Sequence, residues 1–360
     1  MEVVAEGLEV PWDIVFLPDG RMLVTERPGR VRVIDAKGVL RAEPLHTVPN
    51  VKTARGEIGL MGMCLHPAFA NNGYVYLAYG HTDGDVRVDR YTLAIRPVSD
   101  GSRPPLETLA GATPILKGIP ASVNHAGCRV GFGPDGKLYI TAGEMFKKEL
   151  AQDLTSLGGK TLRVNDDGSI PEDNPFAGPE HRAKGVRPEI WSYGHRNAQG
   201  MDWQPGSGRM FQSEHGPSGE AGHGGDEVNL VEKGKNYGWP IIHHDETREG
   251  MEAPLVTWTP ATAPASGAFY TGDLFPEWKG NFMVGMLGGL GREKRPGVYR
   301  IVLDGPRYVG HEVILTDHGR IREVAQGPDG ALYVTTSNRD GRARPSPGDD
   351  KVLRLVPASR

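Results

Sequence analysis

Polar side chains able to do chemistry crowd one part of the chain. Glu189-Ile-Trp-Ser-Tyr-Gly-His-Arg-Asn197 is followed by Ser213-Glu-His-Gly-Pro217, Gly225-Asp-Glu-Val-Asn229 and Lys235-Asn-Tyr-Gly-Trp-Pro240. Glycine and proline cut this stretch into tight turns, which can aim side chains and backbone carbonyls at one point. We read it as one wall of a ligand site. In His195-Arg196-Asn197, an arginine beside an asparagine suits a carboxylate or a developing oxyanion, with a channel-mouth salt bridge as the alternative. Gly216 and Pro217 stand beside Asp226 and Glu227, and carboxylates with glycine-exposed carbonyls are ligands for a hard cation such as calcium. The spacing is not that of an EF-hand loop, and no His-x-x-x-His zinc helix occurs. His215 and His223 lack supporting ligands for zinc.

Three further groups lie outside this stretch. Asn124-His125-Ala-Gly127 sits between a loop and a strand, where an imidazole can enter a channel and act as a general base near neutral pH. A hydrogen-bonded turn histidine is the alternative. Glu144, at the far end of the same hairpin, can return to orient the ring, or it is a solvated turn residue. In Gly319-Arg-Ile-Arg322, positions i and i+2 of a strand share a face, so Arg320 and Arg322 project together. That arrangement favours an anion between them over a solvated face. Gly56-Glu57-Ile-Gly-Leu-Met-Gly62 lacks the Gly-Lys-Ser/Thr and the helix of a phosphate loop. Its glycines suit close packing against a flat ligand or around an axis. No dinucleotide fingerprint is present, which argues against NAD or FAD.

These groups need a scaffold, and a repeat supplies it. Apolar strands followed by a turn and a second strand recur at Ile14, Met63, Val130, Asp202, Gly267 and Val324. Pro18-Asp-Gly20, Pro134-Asp-Gly136 and Pro328-Asp-Gly330 are strong hairpin turns. Further strands follow at Val31–Ile34, Val86–Tyr91, Thr161–Val164, Val298–Val302 and Val352–Leu355, and their apolar–charged alternation predicts half-buried outer strands. A pair of β-sandwiches is the alternative. Six similar units predict an all-β, six-bladed β-propeller of four-stranded antiparallel blades, one domain over 1–360. Pro97–Leu116, Asp166–Arg187 and Asn338–Asp350 read as surface loops.

The chain of 360 residues suits one large all-β domain. Lys+Arg 41 against Asp+Glu 45 leaves a net charge of -4, which argues against a nucleic-acid partner. No apolar run reaches the roughly 20 residues of a membrane-spanning helix. Cys64 and Cys128 are too few for a disulfide framework. Buried free thiols are the favoured reading and a pair the alternative.

Taken together, Asn124-His125, Gly194-His-Arg-Asn197, Glu214-His-Gly-Pro217, Gly225-Asp-Glu-Val-Asn229, Lys235-Asn-Tyr-Gly-Trp-Pro240 and Gly319-Arg-Ile-Arg322 resemble the soluble quinoprotein sugar dehydrogenases. This is the glucose/sorbosone dehydrogenase family, in its aldose sugar dehydrogenase branch. The resemblance runs from Pro11-Trp-Asp13 to the last repeat. It implies a propeller that holds pyrroloquinoline quinone (PQQ) and calcium (Ca2+) at the channel mouth and oxidises the anomeric hydroxyl of aldoses to a lactone. It implies that His125 takes the hydroxyl proton while hydride passes to the quinone. Arg196 would stabilise the reduced quinone, with Asn197 beside it. The Gly216 and Pro217 carbonyls would hold one calcium. Glu227 and the Tyr237 carbonyl would hold a second, structural one. Arg320 and Arg322 would pair with the cofactor carboxylates.

Three positions depart from the family pattern: Glu57, Glu144 and Thr271 stand where Gln, Asp and Lys are usual. Glu57 adds negative charge near an anionic ligand. Glu144 keeps the carboxylate and shifts its reach. Thr271 points to a broad aldose oxidiser over a glucose-specific enzyme. A calcium-dependent propeller lactonase or esterase and a non-catalytic binding propeller are the competing classes. The resemblance also implies a periplasmic or secreted protein whose leader is absent from this chain. Monomer and homodimer both stay open.

Overall fold

Each Pro-Asp-Gly turn closes its hairpin by the same local bonds. Asp19 Oδ1 accepts the Arg21 N–H at 3.2 Å, Asp135 Oδ1 that of Lys137 at 3.1 Å and Asp329 Oδ1 that of Ala331 at 3.1 Å. Gly20, Gly136 and Gly330 follow at φ of 84°, 71° and 78°, a left-handed conformation that costs glycine little. The computed structural model describes residues 1–96, 106–219, 221–289 and 296–358. In it the hairpins grow into six four-stranded antiparallel sheets, the blades of a β-propeller.

Blade 1 runs Pro11–Phe16, Met22–Glu26, Arg30–Ile34 and His46–Thr47. Blade 2 runs Leu60–Leu65, Tyr74–Gly80, Asp85–Arg96 and Leu106–Pro120. Blade 3 runs Val130–Phe132, Leu138–Ala142, Lys160–Val164 and Ile190–Tyr193. Blade 4 runs Ala198–Trp203, Met210–Glu214, Asp226–Val231 and Val256–Trp258. Blade 5 runs Pro264–Phe269, Phe282–Met286, Gly297–Asp304 and Arg307–Leu315. Blade 6 takes Ile321–Gln326, Leu332–Thr336 and Val352–Leu355 from the C-terminal part of the chain and Glu2–Ala5 from the N-terminal part. The register Glu2↔Arg354 to Ala5↔Val352 gives blade 6 its outer strand from the other end of the chain and so closes the ring.

Apolar residues fill the gaps between neighbouring blades. Trp12, Met61, Tyr76, Val88, Leu138 and Leu162 form part of one cluster, and Leu23, Val33, Leu60, Val75 and Leu77 part of the next. The ring centre is polar instead. Arg129 Nη1 lies 2.5 Å from Asp13 Oδ2 and 2.7 Å from Glu323 Oε2, joining blades 1, 3 and 6. One guanidinium neutralises one carboxylate, so the pair retains a proton that an isolated carboxyl would lose. Burial pushes Glu323 up to about 8 against the pull of Arg129, and burial raises Asp13 also.

Two sequence expectations need correction. The charged–apolar strands are the third of each blade, not the outermost, and Lys160–Val164 is buried throughout. Their charges are paired internally: Arg163 bonds Asp135, Asp173 and Asn174, and Arg32 meets Glu26. The Pro97–Leu116 loop is also revised. Residues 97–105 lie outside the described residues, but from Leu106 the chain is the outer strand of blade 2, with Leu109, Ile115, Leu116 and Ile119 buried. The other two inserts are loops, with one short helix at Pro179–Arg182. Cys64 and Cys128 are buried free thiols; burial drives Cys64 well above its ordinary value and Cys128 up to about 12.

Candidate functional site

The segments that enter the inner strands gather at one face of the ring. Glu57 precedes Leu60–Leu65, His125 precedes Val130–Phe132, Asn197 precedes Ala198–Trp203 and Arg320 precedes Ile321–Gln326. A cleft of 350 Å³ opens there, lined in part by Glu57, Asn124, His125, Phe146, Arg320 and Arg342. That size suits a small-molecule ligand.

His125 Nδ1 lies 3.0 Å from Glu144 Oε1. The Glu144 carboxylate is acceptor-only when ionised, so it fixes the proton on Nδ1 and leaves Nε2 as the basic nitrogen. Nε2 has no hydrogen-bond partner among the described residues. His125 is a non-glycine residue at φ 54°, a strained backbone of the kind found at functional sites. Gly143 makes this possible: a Cβ there would lie 2.1 Å from the His125 carbonyl oxygen.

Glu57 faces inward without facing the cleft alone. Its Oε2 accepts the His125 N–H at 2.9 Å, Asn197 Nδ2 at 3.1 Å and Gln199 Nε2 at 3.1 Å. Burial works to raise this carboxyl, but His215, His125, Arg342 and Arg322 outweigh it and hold Glu57 below its ordinary value. Its charge is therefore spent on the chain's own donors. Asn197 is fully buried behind it and takes the Gly127 N–H on Oδ1 at 3.2 Å.

Arg320 lines the cleft, whereas Arg322 lies beneath it with its guanidinium 4.0 Å from the Trp12 ring centre. Burial lowers Arg322 to about 9. The anion expected between the two arginines is in part supplied by the chain. Asp340 Oδ2 lies 2.8 Å from Arg320 Nε and 3.9 Å from Arg322 Nη2. One carboxylate against two guanidiniums leaves the pair cationic. Arg342 Nη2 donates to Asn124 Oδ1 at 2.7 Å, a neutral partner.

A second, smaller cavity of 10 Å³ adjoins the cleft through His215, which lines both. It has room for about one water-sized occupant. Gly216, Pro217, Glu227 and Tyr237 line it together with Glu214 and Arg196. The two calcium sets expected from the sequence thus share one cavity. The Pro217 carbonyl is not bare, since it accepts the Gly224 N–H at 3.1 Å. Burial, then the neighbouring Glu214 and Asp226, drives Glu227 well above its ordinary value. Crowded buried carboxylates call for a cation or a proton, and these oxygen donors suit a hard cation. Among the described residues, no three His, Cys, Asp or Glu side chains form a group that could hold a metal ion. The side chain of His223 lies outside the described residues.

Arg196 is buried at this smaller cavity. It donates to the His215 carbonyl at 3.2 Å and to Ser218 Oγ at 3.4 Å, with its guanidinium 5.5 Å from the Trp239 ring centre. Beside it, His195 is held by Glu214 at 2.9 Å and Ser192 at 2.8 Å, a structural pairing.

Thr271 is a correction. Its N–H and hydroxyl meet Gln326 Oε1, at the far end of the strand that Arg320 opens. Six strand residues span about 20 Å, which puts Thr271 on the opposite face of the ring. Sequence reasoning also missed Asp340, Gln199, Phe146 and Arg342. Gln199 could have been found as the residue two after Asn197, on the same strand face. Asp340 had only its place among arginines in a loop as a signal.

An oriented imidazole, two arginines and an oxygen-lined cavity thus meet at one mouth of the propeller. The Glucose / Sorbosone dehydrogenase family model matches residues 8–345, and the chain belongs to that family of oxidoreductases. It is 37% identical to aldose sugar dehydrogenase YliI of Escherichia coli over 358 residues, covering 95% of this chain and 91% of that one. A putative oxidoreductase (glucose dehydrogenase) from Thermus thermophilus superposes with a TM-score of 0.83 at 44% identity, covering 99% of both chains. The PQQ-bound form of aldose sugar dehydrogenase from Streptomyces coelicolor superposes with a TM-score of 0.83 at 34% identity, covering 99% of this chain and 96% of that one.

Proposed function

We propose that this protein oxidises the anomeric hydroxyl of aldose sugars to lactones, with PQQ and calcium as cofactors. The observation that carries the reading is the His125–Glu144 pair, whose open Nε2 faces a cleft that Arg320 also lines. His125 accepts the hydroxyl proton on Nε2. Glu144 orients the ring and stabilises the imidazolium that forms. Arg320 and Arg342 at the cleft, backed by Arg322, favour a flat polycarboxylate over a neutral ligand. Bound PQQ supplies the hydride acceptor.

Glu227, Glu214 and the carbonyls of Gly216, Pro217 and Tyr237 are the groups suited to hold calcium, which supplies a Lewis acid. Arg196 and Asn197 stiffen the wall between the two cavities, Arg196 through the His215 carbonyl and Asn197 through Glu57. Family membership favours the dehydrogenase over a lactonase. A periplasmic or secreted location belongs to the same proposal; no helix among the described residues is long and apolar enough to cross a membrane. Dye-linked oxidation of aldoses by purified protein, with and without PQQ and calcium, tests it.

A further inference from the structure

Phe146 is the only aromatic among the exposed large apolar side chains of the described residues, at 59% exposure. It lines the cleft, and its ring centre lies 3.8 Å from that of His125 with 32° between the planes. Met145 and Phe146 both hold φ of 61°, a left-handed backbone that non-glycine residues rarely take. The Phe146 N–H donates to Glu144 Oε2, while Glu144 Oε1 holds His125. The two oxygens of one carboxylate therefore set both the basic nitrogen and the aromatic ring.

A phenyl ring left in water forgoes the stabilisation that burial of its apolar area gives. A ligand that covers it recovers that stabilisation. Phe146 overlies the face of the imidazole, whereas the Nε2 lone pair lies in the ring plane. The base therefore stays open beside the aromatic surface. A pyranose offers matching chemistry: hydroxyls around its edge and a patch of C–H groups on its face.

We propose that Phe146 is the sugar platform of the site, packing against the C–H face of an aldopyranose whose anomeric hydroxyl reaches His125 Nε2. This deepens the reading above and rests on it. It makes Phe146 a substrate-binding residue and Glu144 the positioning residue for platform and base together.

The test is steady-state kinetics on PQQ- and calcium-loaded protein, with PQQ affinity measured separately by direct titration. Phe146→Ala should raise KM for aldoses roughly tenfold, with kcat and PQQ affinity within about twofold of wild type. Phe146→Tyr should keep the wild-type KM. An unchanged KM in Phe146→Ala overturns the platform. So does a loss of PQQ affinity in step with KM, which would give the ring to the cofactor. A fall in kcat without a change in KM also overturns it, because the ring would then only steady His125. Wild-type protein without PQQ-dependent turnover defeats the proposed function and this inference with it, whereas an active wild type with an unmoved KM in the variant defeats the platform alone.

Discussion

Glu144 Oε1 stands 3.0 Å from His125 Nδ1, and both side chains are buried. The bond fixes the tautomer of an imidazole on a strained turn and leaves Nε2 as its unprotonated nitrogen. His125→Ala should lower turnover by about 10²- to 10⁴-fold, the usual worth of a positioned general base, while PQQ binds as before. Glu144→Gln keeps the shape and loses the charge that favours the imidazolium, so kcat should fall with little change in PQQ affinity. Dye-linked kinetics beside a PQQ titration separate the two quantities.

Arg320 is the cation of the pair that reaches the cleft. Arg320→Gln should weaken PQQ binding by roughly 10- to 100-fold, the worth of one or two charged hydrogen bonds. The titration is best run at low ionic strength, where screening is weak. An affinity equal to wild type would remove Arg320 from cofactor recognition.

Burial and the neighbouring Glu214 raise Glu227 well above its ordinary value, so a calcium ion bound there would compete with its proton. Thermal unfolding should therefore shift upward on adding calcium, by more at higher pH, and fall back with a chelator. Glu227→Gln should abolish the calcium-dependent part of the shift.

The Asp13–Arg129–Glu323 cluster sets a pH dependence of stability. Burial pushes Glu323 from its ordinary 4.5 up to about 8 in the folded chain. Between those values the folded state holds a proton that the unfolded state has released. The stabilisation is full below the ordinary value and is lost as pH rises through the folded one. Urea unfolding at a series of pH values should show this decline, and Glu323→Gln should flatten it.

The hairpins were legible because their signals are local. Pro-Asp-Gly turns and alternating apolar residues specify strands within a few positions, and six such units leave few other architectures. The meeting of His125 and Arg320 at one cleft was legible from residue types in glycine-rich turns. Closure of the last blade by Glu2–Ala5 was not, because its pairing spans nearly the whole chain. Neither was Asp340, whose meaning depends on a long-range contact with Arg320. Thr271 was misplaced because a hairpin position does not by itself say which face of a ring it occupies. The strand from Leu106 was obscured by the polar and Pro-rich residues before it.

On the proposed function, this face of the ring takes up PQQ and calcium to oxidise aldoses. Its most direct test is the rate of dye reduction by purified protein over a panel of sugars after adding PQQ and calcium, singly and together. Aldose-dependent dye reduction is expected only with PQQ present, enhanced by calcium and lowered by about 10²- to 10⁴-fold in His125→Ala. PQQ that binds without supporting oxidation of any aldose, or oxidation that proceeds unchanged without PQQ, would contradict it.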